Sequence, residues 1–244
     1  MTDYFLLFYF LLFLVAFLYS AVGHGGASGY LALMALFSFS PALMKPTALL
    51  LNLFVSIVAF FQFYRKGFFI GRIFLPLALA SIPMAFLGGM IELEAVLYRK
   101  ILGLFLIIPV ARFLFYANPT ETDPKLATTA IALFLGGSIG FFSGLIGIGG
   151  GVILSPILLM LRWTDQKQTA AIGSMFIFVN SLAGLSGQFS NGLVVSQDMV
   201  FLVLVAFAGG VFGAYFGAVR LHQTILKYIL ASVLCIASFK LLLT

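Results

Sequence analysis

Two glycine clusters and a few isolated polar side chains are the residues of this chain that could do chemistry. Gly147, Gly149, Gly150 and Gly151 stand in the run GLIGIGGGVILSP at 144–156, inside a long apolar stretch. A weaker copy, VGHGGASG at 22–29, holds Gly23, His24, Gly25, Gly26 and Ala27. Glycine weakens a helix by about 1 kcal/mol per residue relative to alanine, so each cluster reads as a helix break. A helix that restarts after a break points free N–H groups and a positive partial charge at the gap. Glycine lets a ligand come close to that backbone, and a small anion suits it. His24 could add a cationic charge or carry a proton with the ligand; as a neutral side chain it would only cap a broken helix. Asn52 and Ser174, polar residues at roughly matching places in two apolar segments, could hydrogen-bond an oxyanion or simply join helices. No HExxH run or cysteine–histidine cluster points to a metal, and no cofactor is expected.

These residues need elements to hold them, and composition says what kind. The 244 residues are 63% hydrophobic and 8% charged, with a mean hydropathy of +1.19. Soluble domains are about 25% charged, so the chain reads as an all-α polytopic membrane protein with the lipid bilayer as its partner. The net charge of +6 does not indicate nucleic acid, because the basic residues are scattered singly. They act instead as topology signals. Cys235, alone, can form no disulfide within the chain. No cleavable signal peptide is expected, since no basic residue precedes the first apolar run.

The charge-free intervals 4–44 and 126–161 are 41 and 36 residues long, about two membrane crossings each at about 20 residues per crossing. Each has its glycine cluster near the middle, which predicts a helical hairpin or broken helix. Further segments follow at about 46–64, 73–91, 97–116, 168–187, 199–219 and 223–243, giving ten in all. Some of the hairpin segments need not cross fully. The halves resemble each other: Gly23, Gly25 and Gly26 match Gly147, Gly149 and Gly150 at one offset, and Lys45, Thr47 and Ala48 resemble Lys167, Thr169 and Ala170. The division is 1–117, a linker at 118–125, and 126–244. Five segments per half is odd, so sequential copies must be inverted. Placing 65–72 inside puts nine basic residues inside against four outside and both termini outside. Inverted repeats with broken helices are the pattern of secondary transporters.

SGLIGIGGGVILSPILL at 143–159, SAVGHGGASGYLALM at 20–34 and QTAAIGSMF at 168–176, with the glycine-rich later helix, resemble the TauE/SafE sulfite exporter family over essentially the whole chain. The resemblance implies a bacterial inner-membrane transporter that exports sulfite, sulfoacetate or a related small anion, with proton coupling. A homodimer is compatible with it. The substrate would sit between the two breaks, near Gly25–Ala27 and Gly149–Gly151, with His24, Asn52 and Ser174 as its side chains. Gly23 and Gly147 would serve gating.

Other readings explain less. An anion channel could use the same breaks. GLSG at 184–187 has the Gly-x-Ser-Gly form of an intramembrane serine protease, with Ser186 and His222 as nucleophile and base, but the repeat has no part in that scheme. A scaffold gives no reason for matched breaks. Gly209, Gly213 and Gly217, four apart, are expected to pack helices. Lys45, Lys167, Arg162 and Trp163 are expected at the membrane interface.

Overall fold

The computed structural model describes residues 2–21, 26–115, 127–220 and 223–243. These form ten helices: α1 (Thr2–Ala21), α2 (Ala27–Leu36), α3 (Pro41–Tyr64), α4 (Gly71–Met90), α5 (Ala95–Phe115), α6 (Thr129–Ile146), α7 (Gly151–Met160), α8 (Gln166–Ser190), α9 (Gln197–Arg220) and α10 (Gln223–Leu243). The described residues contain no strand. Among them, α3, α4, α6 and α8 are long and apolar enough to cross a membrane. His24, Gly23, Gly25 and His222 lie outside the described residues.

Local chemistry sets the ends of these helices. Pro41 occupies the first turn of α3, where its missing N–H costs nothing. A capping box starts α8: the Asp165 carboxylate accepts from the N–H of Lys167 and Gln168, both at 2.8 Å, and Gln168 Oε1 accepts from Asp165 N–H at 3.1 Å. The helices after the two glycine clusters, α2 and α7, are 10 residues each. At 1.5 Å per residue each is about 15 Å long, half of a hydrocarbon core. They also end alike. After α2, Ser38 takes φ 60° and the N–H groups of Ser38 and Phe39 donate to Ala35 O and Met34 O. After α7, Arg162 takes φ 57° and the N–H groups of Arg162 and Trp163 donate to Leu159 O and Leu158 O. The offset that matches the glycines therefore runs through both half-helices to their ends.

The halves are intertwined. In α6, Gly136, Gly140 and Gly144 lie against the backbone of Leu77, Ser81 and Ala85 in α4, so these helices run parallel at backbone contact. In α9, Gly209 and Gly213 lie in the same way against Phe13 and Phe17 of α1. Gly209 and Gly213 thus pack helices, as their spacing predicts. By contrast α3 and α8 run in opposite directions: Leu49 faces Gly184, while Asn52 and Ser181 both reach Gly149. Helices α5 and α10 complete the arrangement, with Ser238 Oγ donating to Gly103 O at 2.7 Å. Each of these four contacts joins one helix before residue 116 to one after residue 126.

Trp163 departs from its expected place. It is 5% exposed and packs with Ile73, Leu77, Leu154 and Leu158 in an apolar cluster rather than at a water interface. The turn after α7 folds it inward through the Trp163 N–H bond to Leu158 O.

Neighbouring glycines of α6 test the packing. A Cβ on Gly136 would overlap the Leu77 carbonyl, whereas one on Gly137 would make ordinary contacts with Met84 Cγ at 3.7 Å and Ala80 Cβ at 3.8 Å. Gly136→Ala is expected to lose about 1–3 kcal/mol of stability through overpacking. Gly137→Ala is expected to be neutral or slightly stabilising, and thermal unfolding of the purified protein measures both.

Candidate functional site

The second break is built by backbone conformation. Gly147, Gly149 and Gly150 have φ of +89°, +76° and +77°, a region that side-chain-bearing residues rarely adopt. Gly147 ends α6, its N–H donating to Ser143 O, and Gly150 caps α7, its carbonyl accepting from Ile153 and Leu154. Between these caps no backbone carbonyl among the described residues accepts from the N–H groups of Ile148, Gly149, Gly150 or Gly151. Ile148 is 1% exposed, so this backbone is shielded from solvent. Buried N–H groups of this kind require a partner.

The glycines of the break face different neighbours. A Cβ on Gly149 would sit 2.7 Å from Asn52 Nδ2 and 3.4 Å from Ser181 Oγ. One on Gly150 would meet the apolar side chains of Ile139 and Phe176 at 2.9 Å. Gly151 faces Ile177, and Gly147 faces the backbone of Lys45. Polar side chains, those of Asn52 and Ser181, stand beside Gly149, together with Ile177 Cγ2 at 3.0 Å. Asn52 is fully buried near the middle of α3, and neither Nδ2 nor Oδ1 has a hydrogen-bond partner among the described residues. Ser181 Oγ, Asn180 Oδ1, Thr47 Oγ1, Ser56 Oγ and Ser143 Oγ are also buried without partners. Thr47 and Ser56 lie on α3, Asn180 and Ser181 on α8, and Ser143 on α6. Unmet buried polar groups cost about 1–3 kcal/mol each, so each of these atoms calls for a partner.

Ser174 is not among them. Its Oγ donates to Ala170 O in its own helix at 2.6 Å, and Ser181 takes the place opposite Asn52. At the first break Gly26 caps α2, and the ring of Tyr30 lies against it with its hydroxyl buried and unpartnered. Ala27 is buried, and Tyr19 OH and Ser28 Oγ share a hydrogen bond of 2.8 Å.

Sequence reasoning missed the groups that hold the carbonyl side of the break. Tyr98 OH on α5 donates to Ile146 O, the last carbonyl of α6, at 2.8 Å. Lys45, expected at an interface, is 8% exposed, and its Nζ donates to Gly88 O, Gly89 O and Ile91 O at 3.4, 3.0 and 3.0 Å. It thus caps the C-terminus of α4, where the helix dipole favours a cation. Asn191 Nδ2 donates to Met90 O beside it. A cleft of about 450 Å³ opens here, with Lys45, Tyr98, Leu145, Gln188 and Asn191 in its walls.

The sequence profile described as "Sulfite exporter TauE/SafE" matches residues 8–241. The chain belongs to the TauE/SafE family. It is 38% identical to the "Probable membrane transporter protein y4hK" of Sinorhizobium fredii over 234 residues, covering 94% of this chain and 95% of that protein. It is 26% identical to the "Probable membrane transporter protein MJ0441" of Methanocaldococcus jannaschii over 145 residues, 57% of this chain and 53% of the relative. It is 35% identical to the "Probable membrane transporter protein MamO" of Magnetospirillum gryphiswaldense over 139 residues, 50% of this chain and 22% of that longer protein. No solved structure matches the chain. As a TauE/SafE protein with several apolar helices, it is a multi-pass membrane protein of a transporter family. The protease-like Ser186 is exposed, and its Oγ is bonded to Leu182 O within α8.

Tyr98→Phe keeps the ring and removes one donor from a buried carbonyl. It is expected to cost about 1–3 kcal/mol, read as a lower unfolding temperature with unchanged oligomeric state.

Proposed function

We propose that this TauE/SafE protein is a secondary transporter of a small oxyanion, held where Gly149 meets Asn52 and Ser181. The observation that carries the reading is the fully buried Asn52, both of whose amide atoms lack partners beside a left-handed glycine backbone. N–H groups at the start of α7 and Asn52 Nδ2 would donate to the anion. Asn52 Oδ1 needs a donor in return. An oxyanion that keeps a proton, such as hydrogensulfite, offers one; exported in that form it takes the proton out with it, so drive from the proton gradient needs a separate inward proton, for which His24 is the proposed carrier. His24, in the first break, is the proposed second contributor of positive charge.

Two repeats, 1–117 and 126–244, joined at 118–125, would be inverted in the membrane. The opposed directions of α3 and α8 support this, because these helices correspond in the two halves. The parallel pairs α4–α6 and α1–α9 also exchange under the same correspondence. Rocking about the glycine breaks would expose the anion to each side in turn. Export across a bacterial inner membrane, with sulfite or an organosulfonate as cargo, is the direction and class suggested by the family name.

Thermal unfolding with sulfite, sulfate, thiosulfate, taurine, sulfoacetate, acetate and lactate at matched ionic strength tests the reading. A ligand at a hundred times its Kd adds about 2.7 kcal/mol, and one selective shift is expected. Asn52→Leu removes two unmet polar atoms at similar volume, so it is expected to hold or raise stability while abolishing that shift and vesicle transport. Wild-type transport by Asn52→Leu would sink the proposal.

A further inference from the structure

Basic side chains gather where two turns of the chain meet. Arg65, Lys66 and Arg72 stand in the turn from α3 into α4. Arg162 and Lys167 stand on either side of the turn from α7 into α8. Two contacts bring these turns together. Lys167 Nζ lies 5.1 Å from the centre of the Phe68 ring, a cation–π contact. Trp163, next to Arg162, packs in one apolar cluster with Ile73, next to Arg72. All of these cations are exposed, and none makes an ion pair among the described residues. Asp165 is the single acid in either turn, and its carboxylate accepts from the N–H groups of Lys167 and Gln168. The far ends of the same helices differ. The stretch 92–100 after α4 balances Glu92 and Glu94 against Arg99 and Lys100, and 188–198 after α8 carries Asp198 and no Lys or Arg.

The basic patch rests on a packed support. The Phe69 ring lies 5.2 Å from that of Phe60, 6.0 Å from Tyr64 and 5.3 Å from Phe74, centre to centre. This aromatic packing fixes the end of α3 against the start of α4, and with them the level at which Arg65, Lys66 and Arg72 stand. Apolar surface lies directly beside the charge. Phe61 is one turn before Arg65 on α3, Leu75 is one turn after Arg72 on α4, and both are exposed, as is Tyr64. In a multi-pass membrane protein such side chains meet lipid, with aromatic rings at the headgroup level. A soluble polyanion would match the cations and leave this apolar surface unmet. A phospholipid with an anionic headgroup matches both, and the planar guanidinium of arginine suits its phosphate.

We infer that the two turns form a docking site for an anionic phospholipid, with its phosphate among Arg65, Lys66, Arg72, Arg162 and Lys167 and its acyl chains along Phe61, Tyr64 and Leu75. Basic clusters of about this size at a membrane surface recognise anionic headgroups. The lipid would join the α3–α4 turn to the α7–α8 turn from outside, as Lys167 and Phe68 join them within the chain. None of these residues belongs to the glycine break, so the inference goes beyond the transport reading and does not rest on it.

The test titrates the full-length purified protein, in neutral detergent, with phosphatidylglycerol or phosphatidylcholine in mixed micelles. Native mass spectrometry counts the bound lipid, and thermal unfolding is read alongside. Phosphatidylglycerol is expected to bind more tightly and to raise the unfolding temperature, less so as salt rises. Each cation near an anionic surface is worth about a fivefold change in Kd. Lys66→Gln combined with Arg162→Asn is therefore expected to weaken phosphatidylglycerol about 25-fold. Asparagine suits the left-handed backbone at Arg162, φ 57°, so this pair carries little risk to folding. Arg99→Gln combined with Lys100→Gln, at the balanced end, is expected to leave binding unchanged. Equal binding of the two lipids overturns the inference. A phosphatidylglycerol preference kept in the first pair, or lost equally in both pairs, overturns it as well. Inorganic phosphate at matched ionic strength is the remaining arm. If it stabilises the wild type as much as phosphatidylglycerol does, and loses that effect in the first pair, the patch takes a free anion and the lipid site is refuted.

Discussion

A backbone N–H or C=O at membrane depth must find a partner inside the protein, because lipid offers none. The organisation around Gly147–Gly150 answers this constraint. Breaking the helix between α6 and α7 strands carbonyls on one side and N–H groups on the other. Tyr98 comes from α5 to hold the last carbonyl of α6, and Lys45 comes from α3 to hold the neighbouring end of α4. The N–H side has no such protein partners among the described residues. The asymmetry leaves the carbonyl side of the break held by protein donors and the N–H side without backbone acceptors among the described residues.

Glycine serves two different physical needs here. At Gly147, Gly149 and Gly150 the need is conformational, since all three have positive φ. At Gly136, Gly140, Gly144, Gly209 and Gly213 the backbone is helical and the need is space, since a neighbouring carbonyl occupies the volume of a Cβ. Gly149 and Gly150 also differ from each other despite their shared conformation. The first opens onto Asn52 and Ser181 and the second onto Ile139 and Phe176. Adjacent αL residues thus turn one backbone face toward polar side chains and the next toward an apolar wall.

Much of the architecture was legible because hydrophobic length and glycine clustering are local properties. Ten segments and two breaks follow from them, and the matched glycines extend to matched half-helix ends at Ser38 and Arg162. What was not legible depends on register between distant helices. Aligning the halves by eye pairs Asn52 with Ser174, yet the α3–α8 crossing brings Ser181 to the break and leaves Ser174 bonded within its own turn. Lys45 reads as an anchor because a cation in an apolar run normally reaches for water; three carbonyls at the end of α4 replace that water. Trp163 reads as an interfacial ring because nothing local shows the turn that folds it inward. The glycines of α9 were read from their spacing, but those of α6, which have the same spacing, were not, and neither partner helix was legible. The positions of His24 and Gly25 lie outside the described residues.

The α1–α9 contact has a consequence for biogenesis. The backbone of Phe13 and Phe17 in α1 lies against glycines of α9, some two hundred residues later in the chain. Loop closure over such a distance makes the contact late in assembly. Until α9 is synthesised, the α1 surface must be covered by lipid or by the insertion machinery. Insertion of the early helices therefore precedes the packing that locks them, and a nascent chain halted before α9 would hold its first helix in the bilayer without its parallel partner.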